Sequence, residues 1–123
     1  MVQPAYRLTF EERDGYLYVH AQADSISEEI VRGYIGEIRD KVREGGHRRL
    51  MIYREIIGTL PDTVVFEISK ETAQWFRGIR VALINNDEPF HDALGFSMKV
   101  ATNRGGTNEL FSDQESAEKW LLK

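Results

Sequence analysis

Three histidines, His20, His47 and His91, with Asp24, Asp87 and Asp92 near them, are the residues with which this chain could do acid–base or metal chemistry. Either task requires the side chains to converge, and their spacing matches no ligand or catalytic motif. The chain has no cysteine, so thiolate catalysis, disulfides and cysteine-ligated metals are excluded. It also lacks a Gly-x-Ser-x-Gly elbow, a Gly-x-Gly-x-x-Gly turn and a Walker-type loop. The expectation is a protein without catalysis, cofactor or metal; an enzyme built on Thr63, His20 or His91 has the least support. A second set, Ser25, Ser27, Asp62, Thr63, Asn85 and Asn86, stands where helical patterns begin. Helix amides and dipoles gathered at one sheet edge would make these an anion or phosphoacceptor site, although the same residue types are ordinary helix caps.

The elements that must position these residues are legible in the periodicity. Tyr6, Leu8 and Phe10 alternate with Arg7, Thr9 and Glu11, the period of a half-buried strand. Arg13-Asp14-Gly15 supplies a turn, and Tyr16 to Ala21 resumes as a second strand of an antiparallel hairpin. Ser25-Ile26-Ser27-Glu28 has the form of a capping box, followed at helical spacing by Ile30, Val31, Tyr34, Ile35, Ile38 and Val42 up to Gly45-Gly46. Leu50 to Tyr53 is the continuous apolar run of a strand covered on both faces. A second helix, capped by Asp62 or Thr63, carries Val64, Val65, Ile68, Trp75 and Phe76 and stops at Gly78. Ile79 to Ile84 reads as the next strand, and Pro89 opens a third helix with Phe90, Leu94, Ser97 and Ala101 inward. Thr107 to Phe111 is a short strand, and Ser112-Asp113-Gln114-Glu115 caps a last helix anchored by Ala117, Trp120 and Leu121.

The order ββαβαβαβα predicts an α/β fold: a mixed, mostly parallel sheet of about five strands with four main helices and right-handed crossovers. The 123 residues suit a single domain, 1–123, and 41% hydrophobic against 29% charged residues is an ordinary globular balance. No apolar run approaches the roughly 20 residues of a membrane span. The opening residues lack the basic start and apolar stretch of a secretory leader, so the expected location is the cytoplasm. A formal charge of −4 argues against nucleic acid as a partner. The basic stretch from Arg39 to Arg54, with Lys41, Arg43, His47, Arg48 and Arg49 between, reads as a solvated helix end and loop.

Helices gathered on one side of the sheet would leave part of the other face open. Tyr18, His20, Met51 and Tyr53 are the candidates to line it, as an interface or apolar pocket, unless an element of the same chain covers them. Phe66 and Phe96 lie off the apolar stripes of their helices and are candidates for a self-association or partner surface.

The element order over residues 5–122 resembles the SpoIIAA-like families, which include STAS domains and related SEC14-type domains. The Asp14-Gly15 hairpin with its aromatic second strand, the strand Ile79-Arg80-Val81-Ala82-Leu83-Ile84, and the closing Leu110-Phe111-Ser112-Asp113 to Ala117 and Trp120-Leu121 carry the likeness. The resemblance implies a regulatory or ligand-sensing domain that acts through a protein partner or self-association. The alternative is a carrier or sensor of an apolar small molecule or lipid, as in the SEC14-type relatives. In STAS proteins that act as phospho-switches, a serine at the start of the second helix is modified. Thr63 is the matching hydroxyl here, but the family's serine pair and following glycine are absent from Leu60-Pro61-Asp62-Thr63-Val64.

Overall fold

The computed structural model describes residues 6–58, 60–85 and 107–123. Its elements are β1 (Arg7–Arg13), β2 (Tyr16–Ala23), α1 (Glu28–Gly45), β3 (Arg49–Ile56), α2 (Asp62–Trp75), β4 (Arg80–Ile84), β5 (Thr107–Phe111) and α3 (Gln114–Leu121). The helix expected from Pro89 to Ala101, with its stop at Gly105-Gly106, lies outside the described residues. The five strands form one sheet in chain order, β1-β2-β3-β4-β5. β1 and β2 are antiparallel, paired from Arg7↔Gln22 to Arg13↔Tyr16, and every later pair is parallel. Gly15 takes φ 91° in the hairpin turn, a left-handed value that a side chain would resist.

The pleat sorts each strand onto two faces. One face carries Leu17, Val19 and Ala21, then Leu50, Ile52 and Ile56, then Val81 and Leu83, all buried. Ile30, Val31, Tyr34, Ile38 and Val42 of α1 and Ile68 and Phe76 near α2 close over it. Arg32 ties the two helices together, donating to Glu28 within α1 at 2.8 Å and to Glu71 of α2. The other face carries Tyr16, Tyr18, Met51, Ala82 and Ile84, and it has its own lid. Ala117 and Leu121 of α3 are fully buried against it, with Trp120 tilted onto Phe111 at 5.6 Å. One helix therefore lies on the side opposite to α1 and α2, because β3 and β4 are apolar on both faces and need cover on both.

The helix starts differ in detail from the sequence expectation. Ser27, not Ser25, caps α1, accepting from the Ile30 amide at 3.1 Å, because the helix begins at Glu28. α3 is capped by Asp113, not Ser112: its carboxylate accepts from the Ser116 amide at 2.7 Å. In α2 neither Asp62 nor Thr63 is the cap. Pro61 holds that position with no side-chain bond, and Asp62 is already inside the first turn. Gly46 ends α1 as expected, with φ 65° and its amide bonded back to the last turn. α2 ends at Trp75, three positions before Gly78.

Candidate interaction surface

α3 is held over the second face by polar contacts as well as apolar ones. Arg13 at the end of β1 donates to Gln114 at 3.2 Å and to the Tyr16 hydroxyl at 3.3 Å, and its guanidinium lies 3.7 Å from the centre of the Tyr18 ring. Gln114 donates to the Tyr18 hydroxyl at 3.4 Å, and the Tyr16 hydroxyl donates to Glu118 at 2.6 Å. Burial pushes both tyrosine phenols up from their ordinary value, and the Glu118 carboxylate adds to the effect at Tyr16 while Arg13 opposes it at both. Arg80 lies 4.5 Å from the Trp120 ring centre and donates to the Lys123 carbonyl at 3.2 Å. These contacts place Tyr18, 9% exposed, and Met51, fully buried, beneath α3. The sheet-face candidates thus divide in two: Tyr18 and Met51 are covered within the chain, while His20 and Tyr53 lie further along the strands.

Among the described elements α3 packs mainly on β3, β4 and β5 of this face. There the parity of the strands brings Thr9 and Glu11 of β1, His20 and Gln22 of β2, and Tyr53 and Glu55 of β3 to the same side. His20 and Tyr53, register partners, meet edge to face with ring centres 5.0 Å apart. The His20 Nε2 also contacts the Glu55 carboxylate, with the two side chains 27% and 48% exposed. An aromatic pair at the centre of a rim of charged and amide side chains has the chemistry of a protein-binding patch.

The remaining candidates lie on other elements or outside the described residues. Ser25 and Asp62 are exposed, as is Thr63 in the first turn of α2. Asn85 is 2% exposed at the end of β4, and its amide donates to the Phe111 carbonyl. Phe66 is half-buried on α2 with the Lys70 ammonium 5.4 Å from its ring centre. Asn86, His91 and Phe96 lie outside the described residues. Among the described residues no group of three or more His, Asp or Glu side chains could hold a metal, and no helix is long and apolar enough to cross a membrane.

The basic stretch does not act as one unit. Arg39 stacks 4.5 Å from the Trp75 ring centre and Lys41 5.7 Å from that of Phe10. His47, Arg48 and Arg49 line, with Glu12 and Arg13, an open cleft of about 390 Å³ at the strands' amino ends. His47 sits 3.3 Å from Glu12 there. Arg54 is different again: it is 5% exposed and belongs to the helix-covered face. Sequence reading places it in a loop because the apolar run ends at Tyr53. Extending the parity of Leu50 and Ile52 through Arg54 to Ile56 is the signal that would have put it inside. No protein-family model and no curated protein matches this chain.

Proposed function

We propose that this chain is a SpoIIAA-like, STAS-type binding domain that performs no chemistry and acts through protein–protein contact, first of all with a second copy of itself. The observation that carries the reading is the His20–Tyr53 pair, two half-buried rings that meet edge to face among charged and amide side chains. Its ring of polar groups suits an interface that forms and dissolves. The element order among the described residues and the closing Leu110 to Leu121 segment support the family likeness. The exposure of Thr63 in the first turn of α2 supports it as a phosphoacceptor. The alternative, a carrier or sensor of an apolar small molecule or lipid, finds no counterpart in the cleft of Glu12, Arg13, His47, Arg48 and Arg49, whose lining is mostly charged.

Sedimentation velocity across a concentration series tests the proposal, with Tyr53→Glu as the disrupting variant. The expected result is an oligomer that the variant reduces to the 14.2 kDa monomer without loss of helical signal. A wild-type chain that stays monomeric throughout removes self-association. A wild-type oligomer unchanged by the substitution removes this patch as its interface.

A further inference from the structure

Arg48 and Arg49 bring two charges to the start of β3. Arg48 is exposed and Arg49 half-buried. Arg13, Arg32 and Arg39 each have a carboxylate partner, but among the described residues none pairs with Arg48 or Arg49. The register also sets Arg49 beside Arg80 of β4, two like charges on neighbouring strands. Arg80 turns to the Trp120 ring and the Lys123 carbonyl. Arg49 approaches the hairpin instead, its Nη1 4.0 Å from where a Cβ on Gly15 would stand. The carboxyl end of α1 attracts cations, but Arg43 in its last turn already serves that end.

Both arginines line the open cleft of about 390 Å³, a volume that suits a small molecule. Its other charged walls are already engaged. Arg13 donates to Glu11, Tyr16 and Gln114, so it adds charge to the cleft but little free donor capacity. Glu12 is the one carboxylate in the lining, and its Oε1 stands 3.3 Å from the His47 Nε2. His47 is closed against Gly45, where an added Cβ would meet that nitrogen at 2.5 Å. Three arginines against one glutamate give the lining a net charge of +2 with His47 neutral, in a chain whose formal charge is −4.

We infer that this cleft binds a small phosphate ester, with its phosphoryl group between the Arg48 and Arg49 guanidinium groups. Such a group carries about −1.5 to −2 charges at neutral pH, which answers the excess in the lining. One guanidinium fork takes both oxygens of a carboxylate, whereas the three outer oxygens of a phosphoryl group can serve two forks. A nucleic-acid backbone offers a single charge per phosphate and must approach a chain that is negative as a whole. Neither His20 nor Tyr53 lines the cleft, so binding here does not depend on self-association through that pair.

The test is a titration of the ¹⁵N-labelled protein with glycerol phosphate at neutral pH, with ionic strength held by chloride. The Gly15, Gly46, Arg48 and Arg49 amides and the two arginine Nε–H signals report on the cleft. The expected result is a saturable shift of these signals, with succinate, a dianion of two carboxylates, binding several-fold more weakly. Arg48→Gln and Arg49→Gln should each weaken glycerol phosphate about tenfold, the low end for one charge-assisted contact. Lys119→Gln removes an exposed charge outside the cleft and should leave the affinity unchanged. Wild-type signals that do not saturate overturn the inference, as does succinate binding as tight as that of the ester. Affinity unchanged in Arg48→Gln, or lowered equally by Lys119→Gln, overturns it as well. Tighter binding of a short single-stranded RNA than of glycerol phosphate would replace the small ester with a nucleic acid. If Arg49→Gln does not fold, the exposed Arg48 decides the matter alone.

Discussion

Truncating Leu121 to alanine measures how firmly α3 is docked. Leu121 is fully buried between α3 and the second sheet face, in the cluster with Met51, Ala82, Ile84 and Ala117. The substitution removes three carbons whose burial is worth about 2.5 kcal/mol at 25 cal/mol per Å² on roughly 100 Å² of apolar surface. A residual cavity raises the total, but a short surface helix can settle into part of the gap, so about 3 kcal/mol is expected. At a urea slope of roughly 1.5 kcal/mol per M, the unfolding midpoint falls by about 2 M. An eight-residue helix is too short to persist alone. Its amides should therefore lose hydrogen-exchange protection before those of β4, and a hydrophobic dye should begin to bind. Leu122 is the control: it is 41% exposed, and its alanine variant should cost less than about 1 kcal/mol. A Leu121→Ala loss no larger than the Leu122→Ala loss, with no dye binding, would refute the docking of α3 on this face.

Two further outcomes follow from the helix starts. Ser27→Ala should destabilise the fold by about 1 kcal/mol in urea denaturation, whereas Ser25→Ala should be near neutral, since only Ser27 accepts from an α1 amide. The Asp113 carboxyl is held below the usual aspartate value, first by the Ser116 backbone amide and then by the Ser116 hydroxyl. Its stabilising contribution is present in full above about pH 3.9, the ordinary unfolded value, and is lost as pH falls through the lower folded value. Acid titration followed by Trp120 fluorescence should show this loss, and Asp113→Asn should flatten that part of the curve.

Much of the architecture could be read from periodicity alone, because each strand and helix carries a strong pattern of its own. β5 falls at Thr107–Phe111 as the sequence suggests, and the hairpin turns at Asp14-Gly15. The helix starts are less legible for a local reason. Ser25 and Ser27, or Ser112 and Asp113, offer neighbouring oxygens of equal chemistry, and only backbone geometry chooses between them. Pro61 took the cap of α2 although two better capping residues follow it. The side on which α3 lies is a long-range outcome, but the apolar run Val81 to Ile84 already demanded cover on both faces. Along the strands of that face, Tyr18 and Met51 are buried, and His20 and Tyr53 are half-buried. Arg54 was hidden by the opposite problem, a charged residue one position past an apparently finished strand.

Strand order identical to chain order has a consequence for synthesis. As the chain leaves the ribosome, amino end first, each parallel strand finds its neighbour already made, so the sheet can grow by addition at one edge. The first face gains cover as it grows, since α1 and α2 are made between the strands they protect. Among the described elements the second face is served differently. The cover of Tyr16, Tyr18, Met51, Ala82 and Ile84 among those elements comes from α3, which follows all five strands. A stalled nascent chain ending at β5 would therefore hold all five strands of the sheet and still lack the helix that buries Met51 and Ile84.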